Sequence, residues 1–506
     1  MKSEVGCQKS DVRMGRLSLI RTSDFSPRSS YLWPHTSYLI PSYIMGKIPV
    51  IAVFDIGKTN KKLFFFDEQY KIVVERTARF EETTDEDGDP CENLELLTSW
   101  IKDTLEEITK LEKFDIKGIN FSAYGASFVH IDENGKPLTP LYNYLKPFPE
   151  ALKAQFYAEY GGELQVSTQT ASPVLGNLNS GMQLFRLKYE KPELFSKIKY
   201  SLHLPQYLSF LVAGEAYSDI TSIGCHTNLW DFTKNDYHHW VKKEGIAEKL
   251  APLYPSDAAV ETEVEGSTRF VGIGLHDSSA ALIPFFTSFQ EPFTLISTGT
   301  WCVTLNPFNS APLTQEELKC DCLCYISYRG KPVKASRVFA GNEHEQQTKR
   351  LAAHFHKSED FYKRIKYNSA VISRLNSRKE SVKLALDSAN LATSAFANRD
   401  LSSFINIEEA YHQLIIDLVS LQAESTRMVL NDAVKRIFVD GGFSKNEIYM
   451  QLLAAAFPDK EVFAASVAQA TSLGAALSIH KHWNKKSLPT NIIELKFFSA
   501  SQELIL

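Results

Sequence analysis

The chain has 506 residues, 44% hydrophobic and 23% charged, with a formal net charge of -5. That length exceeds one core and predicts two domains with insertions. The acidic balance argues against nucleic acid as the main partner, and no apolar run approaches the roughly 18 residues a membrane helix needs. Seven cysteines, odd in number and without framework spacing, suit a reducing cytoplasm.

Residues 1–44 carry Arg13, Arg16, Arg21 and Arg28 among many serines, with neither helical nor strand period. A transit peptide would be Arg- and Ser-rich, but Glu4, Asp11 and Asp24 fit that poorly, and no signal-peptide core is visible. The expectation is a disordered or mis-called extension, with Met45-Gly46-Lys47 directly ahead of the first strand.

That strand, Val50-Ile51-Ala52-Val53-Phe54, runs into Asp55-Ile56-Gly57-Lys58-Thr59 and then Leu63-Phe64-Phe65-Phe66, a second strand. A glycine turn with hydroxyl and amide groups can wrap a phosphate, and an aspartate beside it can hold a magnesium shell. A P-loop reading fails twice. Its motif needs a glycine where Ala52 stands, and a helix rather than a strand after Thr59. The acidic loop Asp85-Glu86-Asp87-Gly88-Asp89 has Pro90 where a calcium loop needs glycine, so a solvated turn is expected. A helix over 92–111, a strand at Gly118-Ile119-Asn120-Phe121-Ser122 and a hairpin turn at Asp132-Glu133-Asn134-Gly135 follow. Residues 150–250 read as mostly helical.

Gly274-Leu275-His276-Asp277-Ser278-Ser279-Ala280-Ala281 comes next; on its residues alone, Asp277 reads as a helix N-cap and His276 as structural. Phe293-Thr294-Leu295-Ile296-Ser297-Thr298-Gly299-Thr300-Trp301-Cys302-Val303 repeats the strand–turn–strand pattern, which suggests an internal duplication. Cys320, Cys322 and Cys324 would share one face of a strand, but zinc sites favour wider pairs. His344-Glu345 lacks the second histidine of a zincin helix. Residues 342–430 read as helices. Ile437-Phe438-Val439-Asp440-Gly441-Gly442 is a strand ending in paired glycines that admit a flat ligand, and Ser444 with Glu447 fits a capping box for the next helix.

The two turns and the double glycine, in this order, resemble the two phosphate motifs and the adenosine motif of the actin-like ATPase superfamily. The closer resemblance is to the FGGY carbohydrate kinases, on Gly274-Leu275-His276-Asp277 and on Gln469-Ala470-Thr471-Ser472-Leu473-Gly474-Ala475-Ala476, where glutamine replaces the family's acid. It implies an α/β fold of two actin-like (ribonuclease H-like) domains with a nucleotide cleft between them. The first domain would span 45–287 and the second 288–485, with 486–506 a surface tail. It implies ATP and Mg²⁺, with Asp55 orienting magnesium through water in that family's manner. Gly57, Lys58 and Thr59 would face the phosphates from one domain, and Thr298, Gly299 and Thr300 from the other. Gly441, Gly442 and Asn446 would border the adenosine, and Asp277 would be the general base.

Tyr124-Gly125-Ala126-Ser127-Phe128-Val129 and Ser297-Thr298-Gly299-Thr300-Trp301 resemble stretches of rhamnulose kinases, which implicates Tyr124 and Ser127 in sugar binding. Ser127 stands where those enzymes carry an aspartate, and Leu141-Tyr142-Asn143-Tyr144-Leu145-Lys146 replaces the family's W-x-D-x-R. The segment Thr221-Ser222-Ile223-Gly224-Cys225-His226-Thr227 either lines the sugar pocket or packs helices. The expected activity is phosphorylation of a ketose or deoxyketose by a cytoplasmic enzyme whose partner is a small sugar, without nucleic acid or membrane; a homodimer is compatible with the sequence. The alternatives are an actin-like ATPase acting as a conformational switch, or a non-catalytic sugar-binding relative.

Overall fold

Apolar runs broken by glycine turns build two sheets. The structure, a computed structural model, describes residues 46–377 and 394–499, so the extension over 1–44 lies outside the described residues. In the first sheet β1 (Ile48–Ile56) and β2 (Lys61–Asp67) form the expected hairpin, with Asp55 opposite Lys62, and β3 (Ile72–Ala78) extends it. Helix α1 (Leu94–Thr109), capped by Asn93, buries Leu97, Ile101, Leu105 and Ile108 against it. Strand β4 (Phe114–Ala123) joins β1 in parallel, and helices α2 (Leu204–Ala213) and α3 (Ile220–Ile223) follow. The other edge of β4 takes the hairpin β5 (Ala259–Val264) and β6 (Ser267–Gly272), then β7 (Leu275–His276), which leads into α4 (Asp277–Ala281). The step from β6 to β7 turns on Gly274. Its φ is +85°, and a Cβ would stand 2.4 Å from the Pro205 carbonyl oxygen, so only glycine fits.

The second sheet comprises β8 (Phe293–Thr298), β9 (Cys302–Asn306), β10 (Cys322–Ile326), β11 (Pro332–Val338), β12 (Arg436–Gly441), β13 (Glu461–Ser466) and β14 (Glu494–Phe498). Their order is β10-β11-β9-β8-β12-β13-β14. Helices α5 (Ala340–His354), α6 (Ile407–Val429) and α7 (Glu447–Ala456) cover one face through Leu351, Leu414, Leu418 and Leu453. The run β3-β2-β1-β4-β7 matches β11-β9-β8-β12-β13 in order and in sense, two antiparallel pairings followed by two parallel ones. The duplication suggested by the two turns is thus a duplication of sheets.

Helix α8 (Ala470–Ser478) follows the second sheet in sequence but packs on the first. Leu473, Ala475, Ala476 and Leu477 bury against Ile51, Val53, Phe64 and Phe66, and the Asn120 side chain donates to the Ala475 carbonyl at 2.8 Å. Gly474 lets α8 touch α4, since a Cβ there would stand 1.9 Å from the Ala280 carbonyl oxygen.

Several local expectations need correction. The acidic loop is a turn exposed at Glu86, Asp87 and Gly88, as expected, but it is also gripped: the buried Lys146 ammonium pairs with Asp85, with Asp87 at 2.7 Å and with Asp89 at 3.1 Å. The Ser444–Glu447 capping box does not form. Asn446 caps α7 instead, accepting from the Ile448 and Tyr449 N–H groups, while Ser444 donates to the Gly441 carbonyl. Cys320 precedes the strand that holds the buried Cys322 and Cys324, and no cluster of three metal-ligating residues occurs among the described residues. The stretch read as a tail contributes β14, paired antiparallel with β13.

Candidate active site

β1 ends by delivering Asp55 to the C-terminal edge of its sheet. One carboxylate oxygen, Oδ2, accepts from the Thr471 hydroxyl at 2.7 Å and the Ser472 hydroxyl at 2.9 Å, both in the first turn of α8. Burial raises the Asp55 carboxyl above the usual range; the two hydroxyls oppose that, and the Asp277 charge adds a smaller push upward. The turn after Asp55 closes through Gly57 N–H to the Asn60 carbonyl at 2.9 Å. It is braced from beneath by Lys61, only 1% exposed, which donates to the Lys58 carbonyl at 3.0 Å and pairs with Glu92 at 2.9 Å. Thr59 is exposed, and Lys58 pairs with Glu82.

Asp277 opens α4 with His276 in the N-cap position, and no side-chain cap bond forms there. The Asp277 Oδ1 accepts from the Ser278 N–H at 2.6 Å and lies 3.2 Å from His276 Nε2, so the carboxylate serves its own neighbours rather than the helix cap. Its side chain is 36% open to solvent while protein crowds its other sides. That crowding raises the carboxyl to about 6 against the opposing Ser278 bonds. Burial also pushes His276 down to about 4, which leaves it neutral at pH 7.

The second turn divides its duties. Thr298 is buried: its hydroxyl donates to the Asp440 carbonyl and accepts from the Phe443 N–H at 3.0 Å, and its carbonyl accepts from the Gly442 N–H at 2.9 Å. Gly299 and Thr300 are exposed, as are Gly441 and Gly442. Gly441 sits at φ +79°, where a Cβ would collide with the Thr298 carbonyl oxygen at 1.9 Å. Asn446, besides capping α7, donates through Nδ2 to the Tyr411 hydroxyl at 2.8 Å.

On the acceptor side, Tyr124 is half-buried and edge-on to the Tyr144 ring at 5.8 Å between centroids. Ser127 is fully buried and donates to the Tyr142 carbonyl at 2.9 Å. The segment after α3 meets His276: Cys225 Sγ lies 3.4 Å from His276 Nε2, and the Thr221 hydroxyl accepts from the His276 N–H at 3.0 Å. A separate groove of about 520 Å³ runs between Glu163, Leu164 and Ser167 of the first half and Trp301, Asp321 and Arg337 of the second, lined by none of Asp55, Tyr124, Ser127 and Asp277. The structure thus brings Asp55 and Asp277 to one edge of the first sheet, and Thr298, Gly441 and Gly442 to one edge of the second.

Sequence reasoning gave no part to Thr471, Ser472 or Tyr325. The hydroxyl pair opening an otherwise apolar helix was a readable signal for the first two. Nothing in the alternation of β10 could show that the Tyr325 ring stacks 6.0 Å from the His276 ring.

Comparison with known proteins fits this geometry. A model of the FGGY family of carbohydrate kinases, N-terminal domain, matches residues 50–283, and one of the carbohydrate kinase FGGY C-terminal domain matches residues 290–487. The chain is 25% identical over 281 residues to a rhamnulokinase of Halalkalibacterium halodurans, covering 51% of this chain and 56% of that protein. It is 23% identical over 287 residues to a rhamnulokinase of Mannheimia succiniciproducens, covering 53% and 55%. The chain therefore spans about half the length of the curated relatives it matches. In fold it is similar to a carbohydrate kinase from Novosphingobium aromaticivorans (TM-score 0.73, 22% identity, 90% of this chain and 95% of that one). A ligand-bound xylulose kinase from Lactobacillus acidophilus is also similar (TM-score 0.72, 15% identity, 90% and 94%).

Proposed function

Because the chain belongs to the FGGY family of carbohydrate kinases, we propose that it transfers the γ-phosphate of ATP to a hydroxyl of a ketose or deoxyketose. The acceptor would be rhamnulose-, fuculose- or xylulose-like, the first in keeping with the rhamnulokinase relatives. The reading rests chiefly on Asp277, a half-open carboxyl raised to about 6 at the same sheet edge as Asp55.

Phosphoryl transfer asks a protein mainly to position groups and stabilise charge. Asp277 accepts the proton of the sugar hydroxyl as the sugar oxygen bonds to the γ-phosphorus and the phosphorus–oxygen bond to ADP breaks, releasing ADP; near 6 it is ionised at pH 7 yet basic enough for the task. Gly57, Lys58 and Thr59 present one turn to the phosphates, and Gly299 and Thr300 present the other, with Thr298 fixing the second turn to the Gly441–Gly442 corner. Asn446 orders that corner beside the adenosine. Tyr124 lines the acceptor side, and Ser127 shapes it from behind. Magnesium fits the donor set at Asp55: both hydroxyls share Oδ2, so a hydrated ion would be met by Oδ1. When bound, the ion supplies charge neutralisation on the phosphates. The proposed domain boundary lies near residue 287, and the proposed working compartment is the cytoplasm, in keeping with the odd, unframed cysteines.

A coupled ADP-release assay over rhamnulose, fuculose, xylulose and ribulose tests the proposal, with Asp277→Asn as control. A sugar-dependent rate that disappears in the variant, while ADP still binds, supports it. Hydrolysis indifferent to every sugar counts against it and favours a switch ATPase.

A further inference from the structure

We infer that His276 is a positioning residue, whose Nε2, 3.2 Å from Asp277 Oδ1, is poised to aim that carboxylate through a hydrogen bond that tightens when the acceptor binds, and which is itself held in place by Tyr325 of the second sheet. The inference rests on the role proposed for Asp277. His276 Nε2 lies 3.2 Å from Asp277 Oδ1 and 3.4 Å from Cys225 Sγ, while Nδ1 is buried without a partner. This arrangement favours one tautomer. A proton on Nδ1 would leave a buried donor unpaired and turn the Nε2 lone pair toward a carboxylate oxygen. A proton on Nε2 serves the carboxylate, with the cysteine sulfur as a weak second acceptor, and leaves only a bare acceptor at Nδ1.

The ring has little freedom to do anything else. On one side Gly125 approaches so closely that a Cβ would stand 2.5 Å from the imidazole Cδ2. On the other, Tyr325 stacks at 6.0 Å between centroids and 26° between planes. Tyr325 arrives with a docked strand end: Ser279 of α4 donates to the Ile326 carbonyl at 3.0 Å, and the Ile326 side chain fills the space that Gly224 leaves open. The second sheet therefore closes over the back of the imidazole, and the aim of Asp277 depends on that contact. Other charged and titratable groups face the pair. Cys225 and His226 come from the segment after α3, Tyr144 and Asp55 from the first half, and Arg337 acts beside Tyr325 from β11. His203, just ahead of α2, lies near the pair as well: burial lowers its imidazole, and His276 adds a smaller push in the same direction.

The test compares His276→Leu with His276→Gln, which keeps an N–H donor. With the most active sugar of the four above, His276→Leu should lower kcat by about ten- to a hundredfold, the size expected for losing a hydrogen bond to a charged group. KM for ATP should stay within about threefold, since this contact is made to the base alone. The acid limb of kcat/KM should move to higher pH, because the lost donor favoured the ionised carboxylate. His276→Gln should recover most of kcat and restore the limb. Equal losses in both variants with an unmoved limb would overturn the inference. A second readout needs no sugar: imidazole ¹⁵N spectra of the wild-type chain, assigned with His276→Gln, should show a neutral Nε2–H tautomer at pH 7. An Nδ1–H or doubly protonated ring would overturn the inference even in an active enzyme. A chain that phosphorylates no sugar but shows the Nε2–H tautomer would refute the proposed reaction and leave the hydrogen bond standing.

Discussion

Gly474→Ala is the sharpest steric test of how the two acids are held. Helix α8 fixes Asp55 through Thr471 and Ser472 and touches α4, which carries Asp277, through the glycine. An added Cβ would stand 1.9 Å from the Ala280 carbonyl oxygen, and reaching a tolerable 3.0 Å opens the helix pair by about 1.1 Å. The clash is with backbone at the centre of a packed contact, so no side chain can swing aside to relieve it. Overpacking of this kind costs about 1–3 kcal/mol, which for a domain of this size lowers the melting midpoint by about 2–4 °C per kcal/mol. The larger effect falls on the chemistry: a displacement of about 1 Å between reacting groups costs on the order of a hundredfold in rate. Thermal melts, ADP titration and coupled ADP release on the same preparation separate these effects. The expected pattern is a modest fall in midpoint, ADP affinity within about threefold, and kcat down by about two orders of magnitude. A variant with wild-type kcat and midpoint would refute the reasoning, because α8 and α4 could not then be in backbone contact.

Other outcomes follow from the same geometry. Asp277→Asn should cut kcat by about 10²–10⁴-fold while sparing ADP binding, and a smaller loss would remove Asp277 as the base. Since its carboxyl sits near 6, the protonated form gains as pH falls; kcat/KM should therefore decline about tenfold per unit below pH 6, and a profile flat from pH 5 to 7 would contradict this. Replacing Thr471 with Val and Ser472 with Ala removes both donors to Asp55, so its carboxyl should rise further and the rate should need more magnesium to saturate; an unchanged magnesium titration would count against Asp55 as the cation's partner. Lys146→Met leaves Asp85 with only the Asp87 and Asp89 N–H donors, at a cost of about 1.5–3 kcal/mol for the lost charged contact, readable as a lowered urea midpoint. Burial alone would raise the Asp85 carboxyl, but Lys146 and the Asp87 and Asp89 N–H groups outweigh it and hold it below the usual range. The stability it gives is thus present above its unfolded pKa and lost as pH falls through the depressed folded value, and Lys146→Met should weaken that acid dependence.

What the sequence could show was local. The hairpins around Gly57 and Gly299 were visible because β-branched and aromatic runs flank a glycine turn, and the register confirms those pairings. Motif order singled out Asp277, but its relation to His276 depends on a ring stacked from another sheet. Ser444 and Glu447 had the right spacing for a capping box, yet the chain makes a 3₁₀ turn through Phe443–Lys445 and hands the cap to Asn446. The grip on the acidic loop was hidden because its cation, Lys146, lies about sixty residues away. Periodicity reports which face of an element is apolar; it is silent on which distant side chain will meet it.

The return of α8 to the first sheet also sets the order in which the molecule can be made. Thr471 and Asp55 are separated by 416 positions, and at translation rates of about 5–20 residues per second the early strands emerge roughly 20–80 s before the helix that covers them. Through that interval Ile51, Val53, Phe64 and Phe66 lack their final cover. A nascent chain in this state is a client for holdase chaperones, and the first half expressed alone should be recovered as aggregate unless a peptide spanning 470–483 is supplied with it.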